Sequence, residues 1–221
     1  DPAGPGLDLL MGVERQEGLR WPDLRLHDGR VDSDALRRAL PRTEETTVLA
    51  SSYVDTGRHG ADEPHSTVPR GLSTALPAMP SAIATRSVLS VGEDGGMTVV
   101  CDVSCQRTES AVAAIEAAEL CVLVVRADVP SCASAVRAAR WLSEHTADAG
   151  LVVRGPAPGG LRGADVESAL GLPLLSAMSP EPGLAKRLEH GGVSFARRSP
   201  LAAASRPIHH LHARRPGAGA A

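Results

Sequence analysis

GGMTVVCDVSCQRTESAVAAIEAAELCVLVVRAD, Gly95–Asp128, decides the fold. Met97–Cys101 is a short apolar run rich in β-formers that stops at Asp102, and Leu120–Val125 is a second run that stops at Arg126. Between them Thr108–Ala118 reads as a helix, with Thr108 placed to cap it and Glu109 in its first turn, where a carboxylate suits the helix dipole. Continuous apolar runs joined by a helix-length connection belong to strands buried on both faces, hence a parallel βαβ unit. Asp102 is then expected at the carboxyl end of a strand, where ligands bind in open parallel sheets. A carboxylate there can hold a metal or orient a water; it can equally turn or cap the loop that follows.

The rest of the chain extends this unit. Ser131–His145 reads as an Ala-rich helix, Gly150–Val153 as a strand, Gly163–Leu170 as a helix closed by Gly171, Leu172–Ala177 as a strand and Pro182–His190 as a helix. Upstream, Leu7–Gly12 is a helical turn closed by Gly12. Pro22 follows Trp21 at a first helical position, Asp32–Leu40 is a helix stopped by Pro41, and Thr46–Ser51 is a strand. A short helix resumes at Ile83–Ser90. Ser52–Ala84 carries Pro64, Pro69, Pro77 and Pro80 without a sustained period, and is expected to be a disordered insertion. The alternation of strand and helix predicts a doubly wound α/β fold with a mostly parallel sheet over residues 1–192. Residues 193–221 are expected to be a basic, mostly disordered tail, with one helix over Pro200–Arg206 that Pro207 ends.

Composition narrows the function. The chain has 221 residues, 43% of them hydrophobic, yet its only aromatics are Trp21, Tyr53, Trp141 and Phe195. The core must come from Ala, Val and Leu, and base-stacking nucleic-acid platforms are disfavoured, so no specific nucleic-acid partner is expected. The net charge of −3 conceals a basic C-terminus: seven Lys and Arg against Glu189 alone from Lys186 onward. Such a stretch is either solvated or drawn weakly to an anionic surface. Cys101 and Cys121 fall in predicted strands, Cys105 and Cys132 in loops or at a helix start, and no pair has zinc-ligand spacing, so four reduced thiols in a cytoplasmic protein are expected. No apolar run is long enough to span a bilayer.

Other chemical candidates are weaker. Gly155, Gly159 and Gly160 lie between a strand and a helix, but the spacing is not that of a phosphate loop and no lysine is near. His209, His210 and His212 cluster beside Arg214 and Arg215, an unfavourable setting for a metal, and no metal site is expected. Ser104 and Cys105 have no histidine close in sequence to act as base.

Several segments together resemble the septum-site-determining, CpaE-like proteins of actinobacteria, divergent relatives of the MinD/ParA ATPases. They are GLDLLMGVE (Gly6–Glu14), GLRWPDL (Gly18–Leu24), GGMTVVCD (Gly95–Asp102), LVVRGPAPGGLR (Leu151–Arg162), LGLPLLSAM (Leu170–Met178) and LAKRLEHGG (Leu184–Gly192). The resemblance implies a P-loop-type sheet. It matches Asp1, seven residues before Asp8, to the aspartate that positions the attacking water, and Asp102 to the switch aspartate near Mg²⁺ and the γ-phosphate. Arg154 stands where active relatives carry an Asn against the nucleotide base. The chain departs from the pattern in its phosphate loop: there is no G-x-x-x-x-G-K-[ST], and Lys186 is the sole lysine. The chain opens at Asp1-Pro2, which reads as a longer protein entered midway, lacking the first strand and phosphate loop.

The implied function is regulation of septum placement or cell division without catalysis by this chain. The alternatives are an ATPase of this class seen as a fragment, or a localisation factor for pilus or secretion assembly. Implied partners are division, pilus or secretion machinery, with self-association through unpaired sheet edges and weak contact with the cytoplasmic face of the plasma membrane. No cofactor is expected for the chain alone; ATP and Mg²⁺ enter if a longer chain supplies the phosphate loop.

Overall fold

The computed structural model describes residues 6–24, 32–44, 46–51, 80–190 and 196–213. The chain divides into two units, Asp1–Ala111 with Ala185–Val193, and Val112–Leu184 with Ser194–Ala221.

The second unit contains the sheet. Strands β1 (Cys121–Arg126), β2 (Ala149–Arg154) and β3 (Leu174–Met178) lie in the order β1-β2-β3, all parallel. Helix α5 (Val129–His145) connects β1 to β2, and α6 (Gly163–Leu170) connects β2 to β3. Parallel crossovers are right-handed, and both step in the same direction, so both helices lie on one face. Ala135, Ala139, Trp141 and Leu142 of α5 and Val166 and Leu170 of α6 are buried. Helix α8 (Pro200–Ala213) packs on β3. Its Leu201, Ala204 and Ile208 line a shallow apolar hollow with Val122, Val124 and Val152, the strand residues of the opposite face. Helices therefore lie on both faces of a parallel sheet, the arrangement of an α/β layer fold.

The middle strand is the most buried. Ala149 to Val153 are all buried, and Leu151 is fully enclosed. Gly150 has a packing reason: a Cβ there would sit 2.6 Å from Leu175 Cγ. Gly163 opens α6 for the same reason, since its Cβ would meet Leu174 Cδ2 at 2.7 Å. Gly171 closes α6 in the left-handed conformation, φ 68°, as the sequence predicts.

The first unit is built from helices and extended segments around a small apolar cluster. Helix α1 (Leu7–Met11) is closed by Gly12 at φ 68°. Leu7 and Met11 pack on buried Val13, Val48 and Ala50. A 3₁₀ turn at Trp21–Asp23 holds Pro22, and the Trp21 N–H donates to the Ala50 carbonyl at 3.0 Å. Helix α2 (Ser33–Ala39) is capped by the Asp32 carboxylate, which accepts from the Ala35 N–H at 2.7 Å. Helix α3 spans Ala82–Asp94. Helix α4 (Glu109–Ala117) has Thr108 as its cap, Oγ1 accepting from the Ala111 N–H at 3.2 Å. It crosses the boundary between units, as does α7 (Leu184–Glu189).

A buried ion pair ties the first unit together. Asp8 and Arg20 are 2% and 7% exposed, with Nε to Oδ2 at 3.5 Å. Arg20 also donates through Nη1 to the Gly18 carbonyl and through Nη2 to those of Val13 and Gln16, each at 3.2 Å. Asp8 Oδ1 accepts from the Leu9 N–H at 3.1 Å. One guanidinium thus satisfies carbonyls from three points of the loop after α1.

Three expectations are corrected. Met97–Cys101 forms no strand. The chain turns at Gly95–Gly96, the Met97 N–H donates to the Gly92 carbonyl at 2.9 Å, and Val99 packs over Gly92. The run is thereby folded back on the end of α3, with Val99 and Val100 43% and 84% exposed and Cys101 exposed rather than in the core. Among the described residues Thr46–Ser51 makes one antiparallel bridge, Thr47 with Arg42, and no strand ladder, although Val48 and Ala50 are buried as a strand's would be. The helix expected to end at Pro207 continues to Ala213, so the tail expected to be mostly disordered carries a 14-residue helix. An interior proline costs about 3 kcal/mol of helix stability; packing of Leu201, Ala204 and Ile208 against the sheet offsets it. Of the expected insertion, residues 52–79 lie outside the described residues, and Ala82 onward is helical.

Arg20→Ala leaves Asp8 buried without its counter-charge. Urea unfolding is expected to show a loss of about 3–5 kcal/mol. The paired change Asp8→Leu with Arg20→Met is expected to lose less than Arg20→Ala alone; equal losses would mean that packing, not charge, holds the clasp.

Candidate functional site

Three residues carry the chemistry that the sequence suggests, and they are differently placed. Asp1 lies outside the described residues. Asp102 belongs to the first unit; it is exposed and, with no strand before it, does not stand at a strand end. Arg154 belongs to the second unit and is the last residue of β2, at the carboxyl edge of the sheet.

That carboxyl edge is the place in the second unit where a ligand would be sought. Arg126 and Arg154 are register partners at the ends of β1 and β2. Like charges side by side on neighbouring strands repel. The repulsion is relieved by Asp128, whose Oδ2 lies 3.1 Å from Arg126 Nε. Asp128 also caps α5: its Oδ1 accepts from the Ser131 N–H at 2.9 Å. That backbone hydrogen bond, then the Ser131 side chain and, more weakly, Arg126 hold its carboxyl below the usual carboxylate range.

The next strand end places a carboxylate inside the helix rather than at its cap. After β2, the Gly155–Arg162 loop leads into α6, and the Asp165 carboxylate turns back to accept from the Arg162 N–H at 2.7 Å. Helix N-termini bind phosphates because their N–H groups and dipole attract negative charge. At the two helices that follow β1 and β2 this attraction already acts on the protein's own carboxylates, Asp128 and Asp165. The Gly155, Gly159 and Gly160 loop is thus a strand-to-helix connection into a helix whose first turn already carries the Asp165 carboxylate.

Two histidine–glutamate pairs flank the start of β1. His145 Nδ1 lies 3.6 Å from Glu116 Oε1, with the Trp141 ring edge-on at 5.7 Å. His212 Nδ1 lies 2.9 Å from Glu119 Oε2. His212 is therefore tied to the body of the second unit, and His209 and His210 meet each other edge-on. No group of three or more metal-ligating side chains occurs among the described residues.

Two hollows in this unit have volumes of about 270 and 230 Å³. Small-molecule sites usually occupy ~300–1,000 Å³ with a few convergent polar groups. The first hollow lies between α5 and α6, lined by Val129, Ala133, Val136, Leu161 and Val166, with Cys132 and Asp165 at its margin. Burial, and then the charge of Asp128, push the Cys132 thiol up, away from thiolate reactivity. The second is the gap beneath α8.

The caps at Asp128 and Asp165 and the clasp of Asp8 and Arg20 are absent from the sequence reading. A signal was present: Asp128 stands three residues before Ser131, as caps do. Asp8 and Arg20 sit in the two segments GLDLLMGVE and GLRWPDL, but nothing in a linear pattern tells that they meet.

No family model matches the chain, and no solved structure matches it. It is 43% identical over 208 residues to an uncharacterized protein of Mycobacterium tuberculosis strain H37Rv, and equally to one from strain CDC 1551 / Oshkosh. The match covers 94% of this chain and 53% of each relative, so the chain spans about half the length of the curated relatives it matches.

Asp128 stabilises the fold through its ionised form, because its folded value lies below the unfolded one. That stabilisation is present above about pH 4 and is lost as pH falls through the lowered folded value. Asp128→Asn is expected to flatten the acid side of the stability profile, measured as the urea midpoint from neutral pH downward. An unchanged acid-side slope would show that other carboxylates set it.

Proposed function

We propose that the protein is a non-catalytic regulator of the MinD/CpaE type, acting on septum placement or cell division. The observation that carries the reading is at the strand ends. Phosphoryl-transfer proteins of this class need free backbone N–H groups at a helix start, a lysine against the phosphates and a hydroxyl on Mg²⁺. Here both helix starts that follow β1 and β2 hold protein carboxylates. The sole lysine, Lys186, lies in α7, and Asp102 is exposed outside any strand. The resemblance of the quoted sequence segments to septum-determining proteins supplies the functional class, and a parallel α/β sheet is compatible with it.

Acting on division machinery would put the protein at the cytoplasmic face of the membrane. No helix among the described residues is long and apolar enough to cross one. Helix α8 turns Leu201, Ala204 and Ile208 toward the sheet, so its contact with lipid would be electrostatic, through Arg206 and the residues beyond it.

One observation favours a second reading. The relatives are about twice as long as the match, so an ATPase whose phosphate loop lies in the additional length would also carry these segments.

Titration calorimetry with ATP and Mg²⁺ on the intact H37Rv relative separates the two. The regulator reading expects no saturable binding there; micromolar affinity in the relative would favour the ATPase, and micromolar affinity in the 221-residue chain would overturn the regulator reading outright. Overproduction in an actinobacterial host is expected to alter septum spacing, and Asp102→Ala, folded by circular dichroism, to alter it equally. Loss of the effect in folded Asp102→Ala would return that carboxylate to a working role.

A further inference from the structure

The hollow beneath α8 is a slot whose roof is fixed at both ends. At the start of α8 the Leu201 N–H donates to Glu181 Oε2 at 3.2 Å, in the loop after β3. Near the other end His212 Nδ1 lies 2.9 Å from Glu119 Oε2, just before β1. α8 therefore runs from the carboxyl edge of the sheet to its amino edge. The floor of the slot is Val122 and Val124 of β1 with Val152 of β2. Val124 and Val152 are register partners, so their side chains share this face. Ala204 and Ser205 of the roof are short, as are the valines of the floor, and a gap of about 230 Å³ is left between them.

One end of the slot is charged. Arg154 and Glu181 line it at the carboxyl edge of the sheet, where ligands of open parallel sheets bind. Arg154 stands two residues after Val152 and so faces the same side. The Glu181 carboxylate is engaged by the Leu201 N–H. Arg126, the register partner of Arg154, is paired with Asp128, whereas the Arg154 guanidinium has no ion pair or hydrogen bond among the described residues. A half-buried guanidinium at the mouth of an apolar slot thus keeps its planar fork of N–H donors for a carboxylate. The walls behind it forfeit dispersion contacts for as long as no apolar chain lies between them.

We propose that this slot binds a medium-chain fatty acid, with the alkyl chain between α8 and the sheet and the carboxylate on Arg154. A water claims about 30 Å³ of liquid and a methylene slightly less, so the slot admits a chain of about eight carbons. The Glu181 charge beside Arg154 favours a singly charged head over a doubly charged phosphate. Such a ligand is unrelated to nucleotide chemistry, and its binding does not depend on the regulatory role proposed above.

Titration calorimetry and amide NMR shifts with sodium octanoate, on the 221-residue chain, test the site. Octanoate is expected to bind saturably with a Kd of about 0.1–1 mM, ordinary for a ligand of its size. The shifts are expected to centre on Val122, Val124, Val152 and Ile208. Affinity is expected to rise about threefold per methylene from hexanoate to octanoate. Octanol and methyl octanoate, which lack the charge, are expected to bind about tenfold more weakly. Arg154→Gln is expected to bring octanoate down to the level of octanol. Ala204→Leu fills the slot and is expected to abolish binding of both with circular dichroism unchanged. Where that variant fails to fold, Ser205→Leu, at the exposed margin of the slot, gives the same reading. Absence of saturable octanoate binding overturns the proposal. So do undiminished affinity in Arg154→Gln, shifts centred away from α8, and tighter binding of octyl phosphate than of octanoate.

Discussion

A parallel sheet must be covered on both faces, and only its interior strands pair on both edges; this constraint governs the second unit. β2 meets it fully. Its backbone pairs with β1 on one side and β3 on the other, and its residues from Ala149 to Val153 are buried. Every departure from that condition then has a local answer or becomes a surface. At β3 the answer is shortness, an irregular register and two covering helices. At β1 the answer is α5 on one face and Arg126 at the strand's end, with Val124 left 62% exposed on the α8 face.

The first unit is organised by a different force. Its described apolar cluster is small, Val13, Val48 and Ala50 with Leu7 and Met11 against it. Arg20 compensates by acting as a polar hub, pairing with Asp8 and binding carbonyls of Val13, Gln16 and Gly18. Desolvating a guanidinium and a carboxylate costs several kcal/mol per ion, regained only when their hydrogen bonds are met. Here they are met, and the geometry is specific: Gly6 at φ 89° leaves room that a Cβ, 2.7 Å from Asp8 Oδ1, would take. A unit held in this way tolerates a modest core but not the loss of either charge.

Legibility followed locality. Helix ends set by neighbouring residues could be read directly: Gly12 and Gly171 as left-handed closures, Thr108 as a cap, Pro41 after α2. The strands β1, β2 and β3 were legible because apolar runs bounded by turn residues have few other uses in an α/β chain. Met97–Cys101 has the same composition and is no strand. β-propensity describes a fit to a pleated, half-buried surface, and in this chain the run meets the end of α3 instead, with Val99 seated where Gly92 has no Cβ. Pro207 misled in the opposite direction, because a local penalty was outweighed by the packing of α8. The candidate site was the least legible. Asp8 and Arg20, His145 and Glu116, and His212 and Glu119 meet only through the fold.

These facts bear on how the chain can act at all. A carboxylate gains catalytic force from a site that excludes water, where its field is weakly screened. Asp102 is exposed, and the carboxylates of the second unit that are well placed, Asp128 and Asp165, are engaged in capping helices. The cations at the strand ends are arginines, with Arg126 already paired to Asp128. Among the described residues of the second unit, the exposed features include apolar Val124 on the α8 face and the charge of Arg206 in α8. Apolar and basic surface of that kind suits contact with another polypeptide or an anionic surface, and the regulatory role proposed above asks for contact rather than for a reacting carboxylate.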